Sequence, residues 1–353
     1  VITGGGSAVP AVLDHHGLWT DYFAERYRGS RVAERIWRSA GITTRHGVVD
    51  PRVEDVSQWG TGARMRRYSA EAVPLGKEAV TAALDEAGLA PADVGLLAVV
   101  SCTGYATPGL DITLARDLGM AATVQRLVVG HMGCYAAIPG LGAAADFVVA
   151  RGRPAVLLCL ELTSLHVQPA ANGTHGQGEP DDVQQMVAHA LFSDAAAAVV
   201  LQPGDLRPAV GGFEVIDVVA LTDPSTGDHM TWDVTDLGFR MGLSPRVPDV
   251  LAVHVGGMIR ERLLAPHGLV VEDVGGWAVH PGGRRILEVV AEQLDLADAR
   301  MRPSYDVLNE FGNCSSATVL LVLDRLAARP GVPVVAMAFG PGLTLYAALL
   351  RGR

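Results

Sequence analysis

Apolar residues in this chain gather in short unbroken runs instead of alternating with polar ones. Ala155–Leu160 and Val332–Phe339 are two such runs, introduced by the turns Arg151-Gly152-Arg153-Pro154 and Arg329-Pro330-Gly331-Val332-Pro333. A run of this length between turns predicts a strand covered on both faces, as in the middle of a parallel α/β sheet. By the same reading Val94–Ser101, Gln125–Val129, Ala195–Leu201, Trp277–His280 and Leu343–Leu350 are strands. Helical stretches lie between them: one ending at Thr81–Gly88, then Leu110–Leu118, Cys134–Ala150, Arg284–Gln293 and Ser315–Ala328. Pro139 fits the third of these only near its first turn, where the missing N–H costs nothing. Gly173–Pro180 is polar and glycine-rich and predicts a loop. The charge-richer region up to about residue 75 reads as an irregular or helical appendage.

The chain also resembles itself. Asp93-Val94-Gly95-Leu96-Leu97-Ala98-Val99 recurs as Asp273-Val274-Gly275-Gly276-Trp277-Ala278-Val279, an offset of 180 residues. At the same offset Gly130-His131-Met132-Gly133-Cys134 lies over Glu310-Phe311-Gly312-Asn313-Cys314. A duplicated βαβαβ unit explains both matches, with one half over residues 1–205 and the other over 206–353. Two α/β halves sharing a common grammar by coincidence is the blander explanation.

Length and composition narrow the function classes. A chain of 353 residues with 49% hydrophobic and 19% charged residues can bury a large core and is not disordered. No apolar run approaches the ~20 residues a bilayer span needs, so no stable membrane association is expected. A formal charge of −10 argues against nucleic acid as a partner. Lys77 is the only lysine, so positive charge is almost all arginine. Cys102, Cys134, Cys159 and Cys314 form no CxxC pair and show no zinc spacing, which fits reduced thiols in a cytoplasmic protein. The letters beginning at Val1 show no signal-peptide pattern.

Within this frame three residues carry chemistry. Cys134 follows a Gly-His-Met-Gly turn and precedes a helix, whose unpaired amides stabilise a thiolate. Cys159, inside a strand run, reads as an ordinary core cysteine. His280 ends a strand before Pro281-Gly282-Gly283, at the edge where α/β active sites form. Asn313 stands in Gly312-Asn313-Cys314-Ser315-Ser316, where a plain helix N-cap is the alternative role. The repeat places Asn313 beside the counterpart of Cys134, so the two helix starts are expected to meet across a pseudo-twofold axis. A thiolate at Cys134 would attack a thioester and hold its acyl group. His280 would stabilise that thiolate as an ion pair. His280 and the Asn313 amide would then donate to one developing oxyanion as a malonyl group loses CO2. One such donor contributes ~2.7–4 kcal/mol. No metal or redox cofactor is called for.

Gly133-Cys134, Ala190-Leu191-Phe192-Ser193-Asp194, Val279-His280-Pro281-Gly282-Gly283, Gly312-Asn313-Cys314-Ser315-Ser316 and Phe339-Gly340-Pro341-Gly342-Leu343-Thr344 together resemble the chalcone-synthase-like type III polyketide synthases. The resemblance runs from about residue 90 to the end. It implies a homodimer of thiolase-like α/β fold, its halves stacked in five layers α-β-α-β-α. It implies Cys134, His280 and Asn313 as catalytic residues and Phe192 as gatekeeper between a CoA tunnel and the cavity. Cavity-lining positions implied are Cys102, Thr107, His166, Gly238 and Ser315; Thr107 stands where plant members take a methionine from the partner subunit. Arg38 and Arg45, in a segment that also holds Arg26, Arg28, Arg31 and Arg35, are implied as contacts to CoA phosphates. The implied substrates are an acyl-CoA starter and malonyl-CoA or methylmalonyl-CoA, and the implied product is a pyrone or resorcinol. The segment His131–Ala137 is most similar to bacterial enzymes that make alkylpyrones or alkylresorcinols. The nearest alternative is an initiating ketoacyl-carrier-protein synthase, although such enzymes follow the histidine with Gln-Ala-Asn rather than Pro-Gly-Gly. A thiolase-fold scaffold without chemistry is a third reading, disfavoured because all three reactive residue types are present.

Overall fold

The computed structural model describes residues 1–168, 183–204 and 212–353. Nine strands form one sheet: β1 (Ile2–Ala8), β2 (Leu96–Ser101), β3 (Gln125–Gly130), β4 (Ala155–Leu162), β5 (Asp194–Leu201), β6 (Phe213–Thr222), β7 (Gly276–Val279), β8 (Pro333–Gly340) and β9 (Thr344–Gly352). Their spatial order is β7-β8-β9-β6-β1-β5-β4-β2-β3. The two halves join through β1 and β6, at the single register pair Ile2↔Phe213. Pairing is mixed: β2 runs parallel to β3 and β4, and β7 parallel to β8, while the remaining neighbours are antiparallel. The flanking helices are α1 (Arg31–Ser39), α2 (Thr61–Ala87), α3 (Leu110–Asp117), α4 (Ala137–Arg151), α5 (Val183–Leu191), α6 (Val247–Gly257), α7 (Arg284–Leu294), α8 (Asp298–Phe311) and α9 (Thr318–Asp324).

The unbroken apolar runs are explained by two-sided burial. Along β4, Val156, Leu158 and Leu160 face a core shared with α2 and α3, while Ala155, Leu157 and Cys159 face a second core shared with α4 and α9. Along β8, Val334, Ala336 and Ala338 enter that same inner core, and Val335, Met337 and Phe339 enter a third one under α6, α7 and α8. Because successive side chains point to opposite faces, a strand between two cores has almost no polar position, Glu161 in β4 being the exception. The helices α4 and α9 therefore lie between the two half-sheets, with further helices outside each. This is the five-layer thiolase-like arrangement.

The structure corrects the sequence reading at the start of the chain. Residues expected in an appendage supply β1, a strand in the middle of the sheet. Its glycines conceal it, since glycine carries no β-propensity. They are there because α2 presses on the strand: a Cβ on Gly6 would sit 2.6 Å from the Ala83 nitrogen and 2.8 Å from the Ala82 methyl.

The duplication is also incomplete. The counterpart of β3 at the 180-residue offset falls inside α8, where Met301, Ser304, Val307 and Leu308 are buried at helical spacing. A hairpin not expected from the letters, Met230–Thr235 with Gly238–Leu243, carries Met230, Trp232 and Met241 toward the site described next. The expected loop at Gly173–Pro180 and the division after residue 205 lie outside the described residues. Among the described residues no helix is long and apolar enough to cross a membrane.

Candidate active site

Cys134 sits in the turn between β3 and α4, three residues before the helix begins at Ala137. Gly133 makes this turn with φ +82°, and a Cβ there would meet the Pro341 ring. Gly340 closes on the same turn, because a Cβ on it would lie 2.9 Å from the Tyr135 ring and 3.3 Å from the Cys134 nitrogen. The Gly340-Pro341 turn between β8 and β9 thus seats directly against the cysteine. That contact accounts for the spacing of the Phe339–Thr344 motif.

Across the junction Gly312 and Asn313 run from α8 toward α9. The Asn313 backbone pairs with the segment around Phe192: its N–H donates to Leu191 O at 2.9 Å, and its carbonyl accepts from Ser193 N at 2.9 Å. The Asn313 side-chain oxygen accepts from Ser315 N at 2.9 Å, a local turn two residues long, while the cap position of the helical turn that follows is held by Cys314. With that oxygen engaged, the amide nitrogen is left to donate, and Ser315 and Asn313 both work to lower the Cys134 thiol against the effect of burial. Ser315 itself holds φ +49°, unusual for a residue with a Cβ.

His280 follows β7, is 0% exposed, and lies edge-on to Phe339 at 5.9 Å between ring centres. Neither of its ring nitrogens has a hydrogen-bond partner. Burial pushes the imidazole down to about 3 and the Cys134 thiol up to about 12. Each group taken singly is therefore disfavoured as an ion, so a thiolate at Cys134 and an imidazolium at His280 would have to form together.

Cys134, His280, Asn313 and Phe192 line one cavity of about 290 Å³. Its remaining wall is largely apolar, with Val187, Leu191, Met230 and Met241 among the lining residues, and Arg284 and Arg285 are its cations. A second cavity of about 20 Å³ shares Cys134 and Phe192 and adds Cys102, Trp232 and Ser315. A third, of about 50 Å³, again includes Phe192. The phenyl ring stands where three spaces adjoin.

Two family models match the chain: the N-terminal domain of chalcone and stilbene synthases over residues 41–204, and the C-terminal domain of the same enzymes over residues 219–353. The chain belongs to the chalcone and stilbene synthase family. It is a type III polyketide synthase, an acyltransferase that condenses malonyl-CoA units and cyclises the product. Among curated relatives, 1,3,6,8-tetrahydroxynaphthalene synthase of Streptomyces peucetius subsp. caesius is 38% identical over 90% of this chain and 82% of its own. The alpha-pyrone synthesis polyketide synthase-like Pks18 of Mycobacterium tuberculosis is 30% identical over 98% of this chain and 89% of its own. The crystal structure of PKS-I from the brown alga Ectocarpus siliculosus superposes with a TM-score of 0.89 at 30% identity, covering 100% of this chain and 98% of that one. The ketoacyl-carrier-protein synthase and scaffold readings are set aside by these matches.

Other positions in this type III synthase divide sharply. Cys102 and Ser315 lie at the site, with Cys102 Sγ 3.4 Å from Ser315 Oγ. His166 is buried one layer away. It donates from Nε2 to Thr103 O at 2.6 Å, accepts at Nδ1 from Phe239 N at 3.0 Å, and lines the third cavity with Phe192. Gly238 does not face the Cys134 cavities. It has φ +99° and yields its Cβ space to Arg64, whose Nε would be 2.7 Å away. Thr107 borders a separate cavity beside β3 and does not reach Cys134 within one chain. Arg38 lies on the surface paired with Glu34 at 2.7 Å and is not on the cavity wall. Arg45 is buried, donates to His189 O at 2.5 Å and Phe192 O at 2.9 Å, and stacks on Trp37. It caps the carboxyl end of α5 and holds the Phe192 segment, so its charge is not free for a phosphate.

Sequence reasoning missed Glu161. It is fully buried in β4 and accepts from Cys102 N (3.0 Å), Cys102 Sγ (3.4 Å), Thr103 Oγ1 (2.8 Å), Ser101 Oγ (3.4 Å) and Ser316 Oγ (2.6 Å). The signal was in the letters: one acidic residue inside the otherwise apolar run Ala155–Leu162.

Burial holds four histidines at about 3: His15, His166, His189 and His280. The unfolded chain takes up these protons near pH ~6.5, where the folded chain refuses them. Their effect on stability is therefore absent above that pH and grows as the pH falls toward 3. The buried carboxyls of Glu161 and Asp194, raised by desolvation, act in the opposite sense. Substitution isolates one histidine: His280→Asn should flatten the pH dependence of unfolding free energy between pH ~6 and ~4 by about 1.4 kcal/mol per pH unit. Urea denaturation across that range measures it, and an unchanged slope would contradict neutral burial of His280.

Proposed function

We propose that Cys134 is the nucleophile of this synthase and that His280 and Asn313 are its two oxyanion donors. The observation carrying this reading is that all three groups line one cavity, at the junction of the two halves. The acyl-CoA starter enters past Arg284 and Arg285, the cations on the cavity wall, which take the place first given to Arg38 and Arg45. As the thioester binds, the Cys134 proton passes to His280, so both groups charge together rather than singly. The resulting thiolate attacks the thioester carbonyl, the carbon–sulfur bond to CoA breaks as the Cys134–acyl bond forms, and the leaving CoA thiolate takes the proton from His280. Malonyl-CoA (or methylmalonyl-CoA) then loses CO2, and its enolate oxygen meets His280 Nε2–H and the Asn313 amide. Two donors already fixed in a water-poor site need no reorganisation as charge develops. The enolate carbon attacks the Cys134 thioester and the extended chain returns to CoA. Phe192, bordering three spaces, separates the CoA passage from the space where the poly-β-ketone folds.

The apolar wall around Met230, Met241 and Leu243 favours a fatty acyl starter and hence an alkylpyrone or alkylresorcinol. The greater identity to the tetrahydroxynaphthalene synthase favours a second reading, an aromatic product built without a fatty starter. Residues 1–205 and 206–353 act as the two halves, one bringing Cys134 and the other His280 and Asn313. The working unit is a homodimer formed at β3, an edge strand with Leu127 and Val128 exposed. An unpaired edge of this kind calls for a partner.

Hexanoyl-CoA and malonyl-CoA, with no carrier protein, should give a pyrone or resorcinol by mass spectrometry; product from malonyl-CoA alone would favour the naphthalene-type reading. Cys134→Ala should abolish condensation, and His280→Ala and Asn313→Ala should each slow malonyl-CoA decarboxylation by about 10²–10³. Ordinary decarboxylation in either of the last two would remove the oxyanion assignment. Arg285→Glu should raise KM for CoA thioesters several-fold with kcat preserved, and an unaltered KM would take that arginine out of the CoA path. In sedimentation velocity the wild type should run as a dimer and Val128→Pro as a monomer; a wild-type monomer of 37.0 kDa would remove the dimer.

A further inference from the structure

Beyond Phe192 lies a chamber that the condensation steps leave unused. This cavity of about 50 Å³ shares Thr163, Phe192, Trp232 and Met241 with the cavity of about 20 Å³ that holds Cys134. The two spaces adjoin, so an acyl chain on Cys134 has room to extend from one toward the other. One water needs about 10–15 Å³ of such space, so the chamber admits only a small group.

Thr163, Ser164, His166 and Arg45 on the chamber wall are already engaged. Thr163 Oγ1 donates to Ser193 O at 2.8 Å, and Ser164 Oγ donates to Asp194 Oδ2 at 2.5 Å. His166 uses both ring nitrogens, and Arg45 grips the carbonyls of His189 and Phe192. His189, in the last turn of α5, is different. It is 7% exposed, its Nδ1 lies 2.6 Å from Tyr27 OH, and its Nε2 has no hydrogen-bond partner among the described residues. A buried polar atom left unpaired is costly and uncommon, and it calls for an occupant. His189 lines the chamber and Tyr27 does not, so Nε2 is the polar edge the ring has left for that space.

A Tyr27 hydroxyl donating to Nδ1 puts the ring proton on Nε2 and makes that nitrogen a donor. Burial and the guanidinium groups of Arg26, Arg45 and Arg240 all oppose a charge on the ring, so it donates as a neutral group. Those same cations favour an electron-rich oxygen over a hydrocarbon as its partner. The condensation steps derived above use neither His189 nor Tyr27.

We propose that His189 determines starter specificity: its Nε2–H binds a carbonyl or carboxylate oxygen at the far end of the acyl chain on Cys134. The apolar wall of the larger cavity carries the body of that chain, and the chamber beyond Phe192 selects its oxygenated end. The proposal rests on the reading of Cys134 as nucleophile.

Hexanoyl-CoA, 5-oxohexanoyl-CoA and glutaryl-CoA test it, since their fifth carbons are a methylene, a ketone and a carboxylate. With malonyl-CoA as extender, the wild type should favour one or both oxygenated starters over hexanoyl-CoA by about tenfold in kcat/KM, the scale of one buried hydrogen bond. The ketone and carboxylate arms tell which oxygen is taken. His189→Phe should cut kcat/KM for the oxygenated starters about tenfold more than for hexanoyl-CoA, which erases the preference. His189→Gln restores an N–H donor and should keep it. Equal kcat/KM for all three starters in the wild type overturns the proposal, whatever the variants do. So does a preference that survives in His189→Phe, or a loss there that falls equally on all three starters, the mark of a merely structural role. Absence of a hexanoyl adduct on wild-type Cys134, by intact-protein mass, is a separate outcome that overturns the nucleophile reading. An adduct without starter preference overturns the His189 assignment alone.

Discussion

Desolvation of the side chains buried at the junction between the two halves sets the electrostatics of this site. Desolvation drives the Cys134 thiol up to about 12 and His280 down to about 3, so a charge on either one alone is disfavoured. The same dryness strengthens any charge–dipole contact once a charge does form. A thiolate made in such a place is costly alone and favourable beside a newly charged imidazole. This site is suited to forming charge only when a thioester is present to accept it.

Backbone contacts between the halves keep the groups in register. The Gly340-Pro341 turn rests on the Gly133-Cys134 turn, so two loops from opposite half-sheets share one contact. The Asn313 segment bonds to the Phe192 segment through its main chain, and its side-chain oxygen accepts from Ser315 N, which leaves the carboxamide nitrogen on the wall of the cavity it shares with Cys134. Arg45 holds the carbonyls at the end of α5, and Asp194 accepts from Val48 N, Ser164 N, Ser164 Oγ and Thr163 Oγ1. Phe192-Ser193-Asp194 is therefore a splice point between strand, helix and the opposite half, and the ring of Phe192 inherits its rigidity.

Buried polar groups away from the nucleophile follow the same logic. Glu161 is tolerated in an apolar strand because five donors surround it. A buried carboxyl with that many partners costs little, whereas an unpartnered one would be driven out or neutralised. His280 is the contrasting case, a buried imidazole whose unfilled hydrogen-bonding capacity faces the reaction space.

Local chemistry alone determined much about this protein. Two-sided burial marked β2, β4, β5, β8 and β9, a 180-residue repeat marked the duplication, and turn-then-helix settings marked Cys134 and Asn313. These features follow from short-range rules that a string of letters preserves. Tertiary structure decided what depends on neighbours distant in the chain. It drew the glycine-rich first strand into the middle of the sheet under α2, and turned Arg45 inward to grip Phe192 while Arg284 and Arg285 took the cavity wall. It moved Thr107 and Gly238 away from the cysteine, and it linked Glu161 to Cys102. It also set the burial that works against a lone charge on the cysteine or the histidine, because desolvation is a property of the assembled core and no residue carries it in its letter.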